Sequence, residues 1–274
     1  MPEAFIEISS FSASEPFFEV NVTGLMQYKP LVEKLTQYFK ENGFSFNPTR
    51  ISIATAVNDD MRMTDGVIDP HRYGRPEFYP FIEHDLNEYV DAFMEDDASV
   101  LIFYGPPGTG KSTLIRTILG MSKAKAMISY SEKLVMSGNL VDRALSDNYQ
   151  ILAIEDADTM IISREKGNDI MAALLNTADG ICRTNLKLII STNLSSTSKM
   201  DSALLRPGRC FDIVEFRELN EEEARNAADS LGITFIDDER SERKWSLSEV
   251  TSMGKKVSTL YSKKRRPASI GFGG

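Results

Sequence analysis

Short apolar runs at Val100–Tyr104, Ala126–Tyr130, Ile151–Ile154, Leu186–Ser191 and Phe211–Phe216 alternate with polar stretches. Each run is brief, branched or aromatic, and reads as a buried strand; stretches between them, such as Asp169–Asp179, read as helices. Strand alternating with helix predicts an α/β fold with a parallel sheet covered on both faces. Upstream, Ile82, Leu86, Val90 and Phe93 recur at helical spacing and predict a helix before the first of these strands. Residues 1–75 read as a small α/β unit of their own, with a strand near Phe17–Val22, a helix from Tyr28 to Asn42 closed by Gly43, and a strand near Arg50–Val57. The Gly- and Pro-rich stretch Asp65–Pro80 reads as a linker. Downstream, Asn220–Glu223 and Ser246–Glu249 match the capping-box pattern and mark two helix starts, with Gly232 closing the first. The chain thus divides into 1–75, a core over 76–217, and a helical C-terminal unit over 218–274 that ends in a flexible tail from Arg266.

Composition narrows the class without identifying chemistry. At 274 residues, 42% hydrophobic and 26% charged, the chain reads as an ordinary globular protein. No stretch approaches the apolar length that spans a bilayer, and the N-terminus lacks the basic start of a secretion signal, so a cytoplasmic protein without membrane insertion is expected. Cys182 and Cys210 have no paired spacing and read as reduced thiols; His71 and His84 suggest no metal site. A net charge of −9 argues against a surface that grips nucleic acid throughout. A local basic patch nevertheless exists at Lys255–Arg266, and its opposite is the acidic stretch Glu83–Asp97. Such runs are usually solvated faces.

Chemistry enters where the first apolar strand ends. Gly105-Pro106-Pro107-Gly108-Thr109-Gly110-Lys111-Ser112 separates that strand from a helical pattern beginning at Thr113. Glycines at both ends let such a loop curl its N–H groups inward around an anion, with the next helix aiming its positive end at the same point. Lys111 is then placed for β- and γ-phosphates, and the Ser112 hydroxyl for Mg²⁺. Ile151–Ile154 delivers adjacent carboxylates, Glu155 and Asp156, to the same rim of the sheet. One is suited to holding hydrated Mg²⁺ and the other to orienting a water. Ile189–Thr192 similarly delivers Asn193, which could hydrogen-bond both the γ-phosphate and the attacking water, although on its own the segment reads first as an Asx-turn. Asp201–Arg209 reads as an apolar-centred helix ending in Arg206 and Arg209, readable either as phosphate-neutralising groups or as structural ion-pair partners.

Taken in order, these segments resemble the AAA+ ATPases, specifically the AAA clade, over about residues 78–260. The resemblance implies a P-loop core with a small helical lid, ATP and Mg²⁺ as ligands, and a homo-oligomeric ring, commonly a hexamer. It implies Walker A at Gly105–Ser112 with Thr113 following, Walker B at Ile151–Asp156 with Glu155 facing the metal, Asn193 as sensor 1, and Arg206 and Arg209 as arginine fingers acting on a neighbouring subunit's site. An adenine pocket near Phe78–Phe81 follows from the family's layout.

Two departures qualify the resemblance. Walker B ends Glu155-Asp156-Ala157-Asp158 instead of Asp-Glu, which, with Leu174–Gly180, looks like the branch of the mitochondrial Rieske-protein translocase, whose membrane-spanning segment is missing here. Asp156 is short for acting on water, and Asp158 is a stand-in. At the pore position Met136 replaces an aromatic residue and reads equally as a core residue. The expected activity is Mg²⁺-dependent ATP hydrolysis coupled to remodelling or translocation of a protein client. The alternatives are a nucleic-acid-linked ATPase using Lys255–Arg266 and a slow ATP-switched assembly scaffold.

Overall fold

A computed structural model describes residues 4–10, 18–24, 30, 33–34, 37, 49–57, 60–162, 185–206, 208–236 and 243–253. The expected helix at 169–179, the segment 174–180, the basic patch at 255–266 and the terminal tail lie outside the described residues. Of the helix expected at 28–42, residues 30, 33, 34 and 37 are described, and all four are helical.

Strands β1 (Ala4–Ser10) and β2 (Phe18–Gly24) form an antiparallel pair. The main sheet contains β3 (Thr49–Val57), β4 (Asp60–Ile68), β5 (Val100–Tyr104), β6 (Ala126–Ser129), β7 (Ile151–Ile154), β8 (Lys187–Thr192) and β9 (Cys210–Glu215). Their spatial order is β4-β3-β6-β7-β8-β5-β9, and every pairing is parallel except β3 with β4. This is the expected α/β core, with the strand that precedes the phosphate loop placed between β8 and β9.

The hairpin β3–β4 changes the expected division of the chain. Ile51–Ala54 pairs with Ala126–Ser129, so residues 49–57 belong to the main sheet and not to a separate N-terminal unit. Strand β4 also runs through Asp65–Ile68, where a linker was expected. Its glycine, a turn signal in sequence, is a packing device: a Cβ on Gly66 would lie 2.9 Å from Ile53 Cδ1.

Beyond the helical residues near 30–37, six α-helices are bounded among the described residues: α1 (Leu86–Glu95), α2 (Lys111–Ser122), α3 (Glu132–Met136), α4 (Asn139–Ser146), α5 (Glu221–Ser230) and α6 (Leu247–Ser252). Asp85 caps α1 by accepting from Asn87 N–H, so Ile82 falls in the preceding loop. Both expected capping boxes form, at α5 and α6, and Gly232 follows α5 with φ +67°. Among the described residues of Asp201–Arg209, 202–205 form a turn and none is helical. Asp201 caps the turn by accepting from Ala203 N–H at 2.8 Å, and a residue followed by proline, as Arg206 is in the sequence, is biased away from helical backbone.

Alternate residues of β5 face opposite layers, which is why its sequence is apolar throughout. Leu101 and Phe103 join Phe93, Ile115, Ile118 and the apolar face of α5; Val100 and Ile102 join Leu134, Leu140, Met127 and Leu204. At the opposite end of the sheet from the phosphate loop, the buried Lys187 ammonium donates to the carbonyls of Asp96 (2.5 Å) and Ala98 (3.0 Å), closing the C-terminal end of α1. Burial lowers its pKa from the ordinary lysine value, against the raising influence of Asp96 and Asp97.

Candidate functional site

Parallel register brings three strand ends to one rim. Tyr104 pairs with Thr192 and Ile154 pairs with Ile190, so Gly105, Asn193 and Glu155 leave β5, β8 and β7 side by side. The Gly105–Ser112 loop then turns into α2 through Gly110, the N-cap, whose φ of +102° is a left-handed conformation open to glycine.

Several carbonyls of the loop already have partners. Gly105 O accepts from Lys111 Nζ (2.7 Å); Pro106 O from Lys111 Nζ (2.8 Å) and the Thr109 hydroxyl (2.8 Å). Gly108 O accepts from Ser248 N–H (2.9 Å), and Gly110 O from the Tyr79 hydroxyl (3.3 Å) and Leu114 N–H. The Gly105 and Pro106 carbonyls hold the Lys111 ammonium at the loop, and the first turn of α2 begins directly after Gly110, an arrangement that favours an anion. Close approach is essential at Gly105, where a Cβ would collide with the Phe216 carbonyl oxygen.

Lys111 is buried, and Asn193 Oδ1 is its third acceptor, at 3.0 Å. Burial lowers its pKa, and the surrounding carboxylates of Asp156, Asp158 and Glu155 work in the other direction. Asn193 Nδ2 donates to Asp156 Oδ1 at 3.1 Å, so one amide bridges the cation and an exposed carboxylate. Asp156 has φ +54°, a backbone conformation uncommon for a non-glycine residue.

The Ser112 hydroxyl is hydrogen-bonded to Glu155, which is itself buried. Burial raises the Glu155 pKa, while hydrogen bonds from Ser112 and Tyr130 stabilise its charged form. A hydroxyl beside one carboxylate suits Mg²⁺, a hard cation commonly held by few protein oxygens plus substrate phosphates. Among the described residues, no group of three or more His, Cys, Asp or Glu could hold a metal by itself. Cys210 is a half-buried thiol with its pKa pushed up to about 11 by burial.

These groups open onto a cleft of about 480 Å³. Pro107, Gly108, Gly110, Lys111, Ser112, Thr113, Asp156 and Asn193 line it, as does Phe78 from the segment expected to hold a base. Leu247, Ser248 and Thr251 of α6 complete the wall, and the sequence did not place them there. The Ser246 capping box was a legible helix start, but nothing local encodes that this helix docks on Gly108.

Arg206 and Arg209 are elsewhere. Arg209 O accepts from the N–H groups of Ser99 and Val100, at the opposite end of β5 from Gly105. The strand between spans about 13 Å, further than an arginine side chain reaches. Met136 is 43% exposed, so it is not a core residue.

Comparison with known proteins agrees with this geometry. The profile of the ATPase family associated with various cellular activities (AAA) matches residues 101–218. The 26S proteasome regulatory subunit 6B homolog of Saccharomyces cerevisiae is 30% identical over 164 residues, covering 53% of this chain and 37% of that protein. The mitochondrial chaperone BCS1 of Danio rerio is 30% identical over 131 residues, 39% of this chain and 29% of that protein. The human BCS1 is 28% identical over 129 residues, 42% and 30% respectively. The chain therefore spans about a third of the length of these curated relatives. Among the described residues, no helix is long and apolar enough to cross a membrane.

Proposed function

We propose that this chain, which carries an ATPase domain of the AAA family, hydrolyses ATP in a homo-oligomeric ring and uses the energy to remodel a protein client. The observation that carries the ATPase reading is the Lys111–Asn193–Asp156 chain of hydrogen bonds at the mouth of the phosphate loop.

Lys111 exchanges the Gly105 and Pro106 carbonyls for phosphate oxygens when the triphosphate enters. Ser112 and Glu155 would hold Mg²⁺, which when bound would supply positive charge against the phosphates. Asp156 and Asn193 orient the water for in-line attack on the γ-phosphorus. Transfer breaks the bond from that phosphorus to the bridging oxygen, which leaves on ADP, and the water's proton passes to solvent or to Asp156.

Arg206 and Arg209 support a ring, because they lie too far from the cleft of their own chain to touch its γ-phosphate. A neighbouring copy supplies the missing positive charge. The protein-client reading draws on relatives named as a proteasome regulatory subunit and a mitochondrial chaperone, and on the exposed Met136 at the end of α3. Met is flexible and polarizable, suited to gripping varied apolar side chains.

The test is steady-state Mg²⁺-ATP hydrolysis over a range of protein concentrations, with and without single-stranded DNA. Specific activity that rises with concentration and ignores DNA is expected. Stimulation severalfold by DNA would transfer the reading to nucleic acid, and tight ATP binding without turnover would make the chain an ATP-switched scaffold.

A further inference from the structure

The turn after β7 and the end of β8 are fastened together by one carboxylate. Asp158 Oδ1 accepts from the Thr192 hydroxyl at 2.6 Å and from Asn193 N–H at 2.7 Å. Thr192 is fully buried, and its oxygen also accepts from Leu194 N–H at 3.1 Å, which fixes the direction of the hydroxyl proton toward Asp158. Two further bonds close the same junction: Ala157 N–H to Ser191 O (2.9 Å) and Asp156 N–H to Ser191 Oγ (3.3 Å). Residues 156–158 and 191–194 thus form one hydrogen-bonded unit.

We infer that Asp158 is a positioning residue, which holds Asn193 so that its amide faces Lys111 and Asp156 at once, and does not itself act on the attacking water. The inference rests on the ATPase reading above. Asn193 has two side-chain partners of opposite sign, with Oδ1 toward the ammonium and Nδ2 toward the carboxylate. Its usefulness depends on where its backbone sits, and Asp158 is bonded to that backbone. A shift of about 1 Å in a group that orients a reactant can cost about 10²-fold in rate.

A base and a positioning group respond differently to loss of charge. The carbonyl oxygen of an asparagine has two lone pairs and can accept from both Thr192 and Asn193, whereas it cannot accept a proton from water. Turnover by D158N is therefore expected within about threefold of wild type, because the acceptor is conserved. D158A is expected to lose about 10²-fold in kcat with KM nearly unchanged. Because Asp158 acts through Asn193, adding D158A to N193A should cost no further activity.

Thermal melting and binding of a fluorescent ATP analogue accompany each variant. If D158A fails to fold, T192V removes one of the two donors and is expected to lower kcat by about tenfold, the size of one charge-assisted hydrogen bond. Equal inactivity of D158N and D158A, near-normal turnover by a folded D158A or T192V, or additive losses in the double variant would each overturn the inference. A wild-type chain that binds the analogue without turning over ATP defeats the ATPase reading instead. The position of Asn193 is then read from its side-chain amide signals in ¹⁵N NMR spectra: signals displaced in D158A and kept in D158N support positioning, and signals unmoved in D158A overturn it.

Discussion

Lys111 Nζ and Asn193 Oδ1 are 3.0 Å apart, a contact between the first residue of α2 and the residue that follows β8, which ties the phosphate-binding cation to the group proposed to orient water. The contact divides binding from turnover. Lys111→Ala removes the cation that reaches the phosphates and should weaken ATP affinity by about 10- to 100-fold, the effect of a charge-assisted hydrogen bond. Asn193→Ala should leave affinity nearly intact and lower kcat. Titration with a fluorescent ATP analogue beside steady-state kinetics separates the two; an Asn193→Ala loss confined to KM would contradict the division.

The arginine pair gives a prediction about mixtures. Arg206→Ala alone should lose about 10³- to 10⁵-fold in turnover. Lys111→Ala chains cannot bind ATP well but retain their arginines, so mixing them with Arg206→Ala chains should restore measurable activity. Mixtures as inactive as their components would argue that the arginines do not serve a neighbouring site.

Gly108 is where the loop meets α6. A Cβ there would lie 2.7 Å from Ser248 Oγ, on a backbone with φ +78°. Left-handed backbone alone costs an L-residue about 1–2 kcal/mol. Gly108→Ala should thus lower the melting temperature and loosen nucleotide binding, and paired Gly108→Ala/Ser248→Gly should recover part of the loss. No recovery would mean that the backbone, and not the contact with α6, is the source.

Legibility followed the range of the interactions. Val100–Tyr104, Ile151–Ile154 and the residues leaving them were readable because apolar runs and glycine spacing are local signals. The hairpin partner β4 was not, since Met61 and Met63 alternate only partly buried and Gly66 carries the signature of a turn while serving close packing with Ile53. The contact of Ser248 with Gly108 joins residues far apart in sequence, and Asp158 differs from Asp156 only in what each touches. Neither fact has a local trace.

The two capping boxes make the helices of the C-terminal unit sensitive to acid. Glu223 titrates below the ordinary glutamate value chiefly through Arg217, and Glu249 chiefly through Ser246 N–H. A depressed carboxyl adds stability that is complete above its unfolded value of about 4.3 and is lost as pH falls through the lower folded value. Asn220→Ala or Ser246→Ala should cost about 1 kcal/mol at neutral pH. Thermal melts at pH 7 should show this loss, and the wild type should weaken as pH drops below about 4, the range in which these carboxyls gain protons; a pH-independent melt between 7 and 3 would contradict the assignment.

Lys187 predicts a cost with no catalytic component. Lys187→Met keeps most of the apolar stem but leaves the Asp96 and Ala98 carbonyls without their donor, which should destabilise by about 1–3 kcal/mol. Urea unfolding should show a lower midpoint at unchanged slope, with kcat preserved in the folded fraction. An unchanged midpoint would mean that another donor reaches these carbonyls.

The sheet order also sets a timetable for synthesis. Strand β5 lies between β8 and β9, both of which come after it in the chain, so Val100–Tyr104 leaves the ribosome with neither neighbour yet made. At roughly 5–20 residues per second, the 88 residues from Tyr104 to Thr192 (192 − 104) take on the order of 4–18 s. For that interval the strand that will carry the phosphate loop is an unpaired Val-Leu-Ile-Phe-Tyr segment, the composition most prone to pairing with other chains. Nascent chains stalled before residue 187 should accordingly depend on chaperones far more than those released after residue 215.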